Sequence, residues 1–577
     1  MAFAAGLSKD ALVRTSSPVV FFSGLPRVEC VEKRLDRAAI LRFQRAPLEF
    51  SLRLLDAAAA DPELAEFALT IARVGTTFHS RVLFKAACLN SDDFREPRVF
   101  IARDFGDATN NGRFNPPWER ILQSNRALTV WRAHQELPQT KNTSHLWTSL
   151  RHRGWGAVGL RLWLNAWEAL PHSLSPRRAL LFGRNELMGQ TALALANRGV
   201  AIRRLAAPAF KTEELPAAID SALSRAVASV VQEHSAQWVC SDTVAPCVAA
   251  FLDDARQQIS RQRAAAGALK SVLDRVCKRG STVLLSNYPG WPEHAALARL
   301  CRDREIPFIA FQHGVAREIC ETHVATTAFY ENAISDLLFT FNEEGAAMSR
   351  RHPFARGRVV AVGMPDSVRR AATRCQGTLT RPPIIYVSTN LYRHDIQMLL
   401  GTLTDIEKAR LETNLIRNVF SQLPHRIFYK PYRSLRNMDG DPVLDEARGA
   451  GNILVYEEGL DARYLLADYR VIVTTRATST MMWCLHSDKP LVFIDHPDDQ
   501  PLRDAARRAM QDGIFLFNGA GDNFHELLRD FLSKPIDEIE SLWQNKIESR
   551  RMLIEQFFSS GRGGGKRAAS IILAEYL

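Results

Sequence analysis

From about residue 178 onward the hydrophobic pattern alternates between two kinds of segment. Short apolar, β-branched runs are followed by longer stretches whose apolar residues recur every three or four positions. "RALLFG" (178–183) predicts a strand, "NELMGQTALALANRG" a helix ending at Gly199, and "VAIRRL" the next strand. "STVLLSN" (281–287), "EHAALARLCRDREI" (293–306) and "PFIAFQHG" (307–314) repeat strand, helix, strand. "DLLFTFN" (336–342) and "GRVVAVGMP" (357–365) close this half. "DSVRRAATRCQGTLTRPP" (366–383) reads as a linker, and the alternation then restarts. It runs through "IIYVST" (384–389), a long helix near 405–422, "RIFYKP" (426–431), "NILVYEE" (452–458), "RVIVTT" (470–475) and "PLVFID" (490–495). Such alternation specifies a parallel sheet covered on both faces. The expected fold class is therefore α/β, with two Rossmann-like domains facing a cleft. Their expected spans are 178–366 and 384–535, joined by a linker at 367–383, with helices in 536–577 crossing back to the first half.

Residues 1–177 break this pattern and are expected to form an N-terminal, mainly helical extension. Six of the ten tryptophans lie there, between Trp118 and Trp167, interleaved with Arg151, Arg153 and Arg161. Aromatics at helical spacing usually form core. An interfacial membrane helix and stacking on nucleic acid are the other readings of that segment.

Composition narrows the classes. A chain of 577 residues exceeds what one core serves, and 46% hydrophobic with 24% charged residues is ordinary for a globular protein. No run of eighteen apolar residues occurs, which excludes a spanning helix. The N-terminus lacks the basic and apolar regions of a secretory signal, so a cytoplasmic location is expected. Nine scattered cysteines without a CxxC pair fit a reducing compartment and argue against a cysteine zinc site. A net charge of +11 implies anionic partners: phosphorylated substrates, a membrane surface or nucleic acid. The basic residues are dispersed rather than striped, so nucleic acid is not expected.

The candidate chemistry sits where strands end, because ligands of open α/β sheets bind beyond the carboxyl ends of strands. After "VIVTT" come Arg476, Thr478, Ser479 and Thr480, at the start of a helix-like run. Hydroxyls and unpaired helix N–H groups suit phosphate, although Ser479 could simply cap its own helix. Lys430 and Arg433 follow "RIFY", where they either flank the same anion or stand solvated. Glu457 and Glu458 follow "NILVY". They bind ribose hydroxyls or complement a helix dipole, and the residues alone leave both readings open. In the first half, His313 and Gly314 follow a buried strand. His313 can take a proton near neutrality, and Gly314 permits a tight turn; fixing the loop is the alternative role for the histidine. "GRNE", with Arg184 and Asn185, and "SNYPGW" end strands on the same edge and could hold an acceptor. "GRGGGKR" lacks the spacing and the Ser or Thr of a phosphate loop. Asp439-Gly440-Asp441 reads first as a turn. Neither HExxH nor GxSxG occurs.

The order "QHG", "VVAVGMPDSV", "IIYVST", "FYKPY", "LLADYRVIVTTRATSTM" and "KPLVFID" resembles bacterial GT-B transferases. The likeness is to CDP-glycerol glycerophosphotransferases and related capsule and surface-polysaccharide glycosyltransferases. Arg476-Ala477 stand where that family tends to have Asp-Tyr, and Tyr432 where it has His. The resemblance covers roughly 280–577, about half of the chain. It implies that His313 is a base or acceptor contact, with Glu457 the second candidate catalytic group, near the nucleoside. Lys430, Arg433, Thr478, Ser479 and Thr480 become the phosphate clamp, and Glu458 and Arg476 are counted with them. Arg184, Asn185 and Gly314 are assigned to the acceptor. Gly363, Pro365 and Asp366 match the family's hinge, and 565–572 its closing helix.

The implied activity is metal-independent transfer of a sugar from a nucleotide-activated donor to a glycan or lipid-linked acceptor. No cofactor is expected, and peripheral contact with the inner face of the plasma membrane is a further expectation. A CDP-alditol phosphotransferase, a nucleotide-sugar 2-epimerase and a non-catalytic scaffold for polysaccharide assembly are the alternatives on the same fold.

Overall fold

The computed structural model describes residues 13–15, 28–30, 37–89, 99–105, 129–135, 162, 176–183, 185–205, 209–277, 281–287, 291–321, 331–366, 368, 382–388, 403, 405–431, 442–456, 461–477 and 479–577. The β-branched runs form strands where the pattern predicts them, and parallel pairing buries them on both faces. In the extension, β1 (Val13–Thr15), β2 (Val28–Cys30), β3 (Val99–Phe105) and β4 (Thr129–Gln135) pair in parallel in the order β2-β1-β3-β4. The sequence pattern did not predict this sheet: β1 and β2 have three residues each, too few to show a period of two, and the seven-residue β3 and β4 carry charged residues within them, Arg103, Asp104 and Arg132. Of the six clustered tryptophans, all but Trp131 lie outside the described residues.

The first Rossmann-like sheet holds β5 (Arg177–Phe182), β6 (Ala201–Arg204), β7 (Ser281–Asn287), β8 (Phe308–Phe311), β9 (Leu337–Thr340) and β10 (Arg358–Ala361). All are parallel, in the order β10-β9-β8-β7-β5-β6. The second holds β11 (Ile384–Val387), β12 (Ile427–Lys430), β13 (Ile453–Val455), β14 (Val471–Thr474), β15 (Leu491–Asp495) and β16 (Phe515–Asn518), in the order β13-β12-β11-β14-β15-β16. The fold is thus two Rossmann-like domains facing a cleft, with an N-terminal helical region.

Between β6 and β7 the chain makes an excursion of two long helices, Ala217–Ala236 and Ser241–Val276. They pack with the helices Arg37–Ala59 and Ala68–Phe78 around Phe43, Phe50, Phe78, Val231 and Phe251. The extension is therefore bound to the first sheet through a shared core. Burying each such side chain contributes about 1.5–3 kcal/mol.

The C-terminal helix Gly564–Glu575 lies against the helix Glu186–Ala196 of the first half. The glycines before it meet the hinge. A Cβ on Gly564 would stand 2.2 Å from the Gly363 carbonyl oxygen, so only glycine allows this approach. Gly564 N–H donates to the Met364 carbonyl (3.1 Å) and Gly563 N–H to Asp366 (3.2 Å). The "GRGGG" segment is a clasp on residues 363–366, where the sequence predicts a hinge.

Two histidines are buried in the helical core. His79 Nε2 donates to the Phe43 carbonyl (2.7 Å), so its Nδ1 must accept from His234 Nε2 (2.8 Å), and both rings are neutral. Burial pushes His79 well below its ordinary value and His234 down to about 4. Burial likewise takes His486 and His496 to about 4. The unfolded chain protonates these histidines below about pH 6.5, while the folded chain keeps His234, His486 and His496 neutral until about 4 and holds His79 well below its ordinary value. Stability should therefore be lost as pH falls through that window, by about 1.4 kcal/mol per pH unit for each histidine. Glu331, which burial raises to about 7, opposes this as a single group. Thermal unfolding followed from pH 7 to 4.5 should show a falling midpoint, less steep in His234→Gln. A flat profile would contradict the neutral pair.

Candidate functional site

Each sheet has one place where strand order reverses. In the first, β6 lies to one side of β5 and β7 to the other; in the second the reversal separates β11 from β14. Crevices open at the carboxyl ends of such pairs. At the second crevice Thr474 Oγ1 donates to the Val387 carbonyl (3.0 Å), fixing the end of β14 to β11.

The floor of the first crevice is a polar lattice. Asn185 caps the helix Glu186–Ala196 through Oδ1, accepting from Leu187 N–H (2.8 Å) and Met188 N–H (3.4 Å). Its Nδ2 donates to the Gln312 carbonyl (2.8 Å) and to Asn287 (3.3 Å). One side chain thus joins the ends of β5, β7 and β8. Gln312, fully buried, donates to the Gly314 carbonyl (3.1 Å) and to Glu318 (2.5 Å) and accepts from Phe341 N–H (2.9 Å). His313 N–H donates to Glu331 (2.5 Å), whose carboxyl is paired with Arg317 at 3.1 Å, both side chains completely buried. The backbone of 312–314 is therefore held from beneath, while the His313 residue is exposed. Desolvation at the mouth of the cleft holds the His313 pKa below its ordinary value, so the imidazole is neutral at pH 7.

Across the cleft stands the helix Ser479–Leu485, which follows β14. A Cβ built on Gly314 would lie 2.9 Å from Ser479 Cβ, so the two loops touch backbone to side chain. Gly314 is not among the described residues with positive φ. Its glycine is explained by this approach, not by the tight turn expected from sequence. The helix has only seven residues, and its dipole is correspondingly small. Stabilisation of an anion here would fall mainly to hydroxyls and cations.

Lys430, almost fully buried at the end of β12, donates to the Pro431 carbonyl (2.9 Å) and lies 5.2 Å from the Tyr456 ring centroid. Its charge also acts on Asp461. Burial raises the Asp461 carboxyl, but Arg463 and its backbone N–H outweigh that and hold it below its ordinary value. Arg476 is engaged in a buried pair with Asp499 (2.6 Å), with Lys408 4.0 Å from the same carboxylate. These three line a small cavity with Tyr386, Glu412 and His496. Thr480 is half-buried next to the exposed Ser479. Arg184, Arg433, Glu457, Glu458 and Thr478 lie outside the described residues, as do Tyr432 and Asp439-Gly440-Asp441.

Sequence reasoning missed a second cross-cleft contact. Arg463 pairs with Glu186 of the first half (2.8 Å) and lies over Trp483, 4.9 Å from its ring centroid. Ser479 and Trp483 are four residues apart and share one face of their helix. That spacing was visible in sequence; the partner 277 residues away was not. Trp291, at the end of "SNYPGW", lies under the Arg73 guanidinium at 4.2 Å, so the helical extension reaches this edge as well.

The arrangement is of the GT-B type. No family model matches the sequence, and no curated protein matches it. Among solved structures, the chain is similar to S. aureus MnaA with UDP, at 10% identity and a TM-score of 0.42, covering 70% of this chain and 97% of that one. A putative UDP-N-acetylglucosamine 2-epimerase from Listeria monocytogenes gives 12% identity, TM-score 0.41 and coverages of 70% and 97%. Phytolacca americana UGT2 with UDP-2-fluoro-glucose and pterostilbene gives 12%, 0.37, 70% and 100%. Likeness at this level concerns the fold and carries no argument about reaction or ligand. In the described residues, no helix is long and apolar enough to cross a membrane.

The Gly314–Ser479 approach is testable by a double-mutant cycle. Gly314→Ala should destabilise the chain by about 1–3 kcal/mol, since the new Cβ overpacks the contact. Ser479→Gly, by removing the opposing Cβ, should recover most of that loss in chemical denaturation. Additive effects of the two changes would show that the loops do not touch.

Proposed function

We propose that this protein is a GT-B glycosyltransferase that moves a sugar from a nucleotide-activated donor to a hydroxyl of a cell-surface glycan or a lipid-linked acceptor. The observation that carries the reading is the contact of the His313–Gly314 loop with Ser479. It places a neutral imidazole loop of one half beside the hydroxyl-bearing switch point of the other. The donor lies on the second half, its phosphates facing Ser479, Thr480 and Lys430, with Thr478, Arg433 and the Glu457–Glu458 pair completing the site. The acceptor enters along the first half, beside the Asn185 end of β5.

The acceptor oxygen attacks the anomeric carbon as the bond from that carbon to the phosphate oxygen breaks. The electron pair leaves with the nucleoside phosphate, opposed by Lys430 and the hydroxyls. The acceptor proton passes to His313. Cations of the chain supply the neutralisation that a metal provides elsewhere, so the reaction is proposed as metal-independent. The cleft excludes water, favouring transfer over hydrolysis. The net charge of +11 supports a peripheral contact with an anionic membrane surface near a lipid-linked acceptor.

Thermal unfolding of the purified chain with CMP, CDP, UDP, GDP or ADP tests the donor site. A ligand at a hundred times its Kd should add about 2.7 kcal/mol of stability. One nucleotide should stabilise the wild type and lose that effect in Ser479→Ala. His313→Gln should keep nucleotide stabilisation yet lose about 10²- to 10⁴-fold in turnover of the matching nucleotide-sugar. No stabilisation by any nucleotide in a folded sample would overturn the donor reading.

A further inference from the structure

The Arg463–Glu186 contact has a chemistry beyond joining the halves. Arg463 lies in the short turn Ala462–Tyr464 that follows β13, anchored by Asp461, which accepts from its backbone N–H (3.0 Å) and its guanidinium (3.0 Å). Its guanidinium lies over Trp483, one helical turn from Ser479. Stacking fixes the plane of the fork without using its hydrogen-bonding edge. Glu186 occupies one nitrogen at 2.8 Å, Asp461 another, and the buried Nε has no hydrogen-bond partner among the described residues. A guanidinium presents five N–H groups in a planar fork suited to two oxygens of a phosphate. The arrangement thus holds a pre-oriented cation, on the same helix face as Ser479, whose outer partner is a carboxylate from the opposite domain. Lys430 lies near enough to act on Asp461, so the patch holds two cations against one carboxylate of its own half. Among the described residues, Glu186, from the other half, supplies the second carboxylate.

We propose that Arg463 is a ligand of the donor's diphosphate, and that Glu186 is a built-in competitor that a bound diphosphate displaces. The inference rests on reading the cleft as the site of a nucleotide-activated donor. An arriving diphosphate exchanges one anion for another on the Arg463 fork. Donor binding thereby releases a strut between the two halves, and departure of the nucleotide lets Glu186 return. Arg463 then both binds the leaving group and couples donor occupancy to the separation of the domains.

The test is calorimetric titration of the full chain, wild type, Glu186→Gln and Arg463→Gln, with UDP, CDP and GDP, and with inorganic pyrophosphate as a nucleoside-free probe. The nucleotide bound by the wild type should bind about three- to fivefold tighter to Glu186→Gln, the worth of a partly exposed ion pair. It should bind tenfold or more weakly to Arg463→Gln. Pyrophosphate should change in the same directions if the diphosphate alone is recognised. A contact that is only a strut would lower the unfolding midpoint of Glu186→Gln and leave its affinity unchanged. That result, or unchanged affinity in Arg463→Gln, overturns the exchange while leaving the donor site standing. Misfolding cannot imitate tighter binding by Glu186→Gln. If the wild type binds no nucleotide, the donor reading itself fails and the exchange falls with it.

Discussion

The cleft depends on one steric constraint: the loop after β8 approaches the helix after β14 so closely that residue 314 has no room for a Cβ beside Ser479. Two sheets that meet through their carboxyl edges bring together the ends where parallel sheets leave backbone groups and polar side chains unpaired. Every other feature of the cleft serves to hold that approach. Asn185 joins three strand ends, Gln312 locks the loop, and the C-terminal glycines clasp the hinge at Gly363 and Met364.

Fixing the loop places titratable pairs where solvation is lost. Arg317 and Glu331 are completely buried, and Glu331 meets the His313 N–H. A buried pair rarely adds net stability, but losing one partner costs about 3–5 kcal/mol because the other is left uncompensated. Such a pair makes the loop's position nearly all-or-none. The second half uses the same device in Arg476–Asp499, which ties the segment between β14 and Ser479 to the end of β15. The cross-cleft pair Arg463–Glu186 differs from both. It is partly exposed and joins two bodies rather than two loops of one body, as Arg503–Glu344 also does, but it lies beside the Ser479 helix and so is placed to change partners there.

Most of the fold was legible because buried parallel strands announce themselves as β-branched runs. Eleven of the twelve strands in the two sheets follow from that signal; β16 and the four strands of the extension were not predicted. The helices 217–236 and 241–276 join the extension to the first sheet through a core assembled from distant segments, which periodicity cannot pair. The site was legible one half at a time. Strand ends rich in hydroxyls and cations pointed to Ser479, Lys430 and His313. Their juxtaposition, and the pairing of Arg463 with Glu186, come from how two sheets face each other. Local patterns carry no information about that. Sequence also misassigned a reason: Gly314 is glycine because Ser479 is close, a requirement of packing rather than of backbone conformation.

The central claim is that a nucleotide's phosphate is held at the Ser479 helix, beside its contact with the His313–Gly314 loop. Hydrogen–deuterium exchange of the full chain, with and without the stabilising nucleotide, tests it most directly. The account predicts slowed exchange in two segments at once, 312–318 and 474–485, one from each half. Protection confined to one half, or stabilisation by a nucleotide that slows exchange in neither segment, would contradict it.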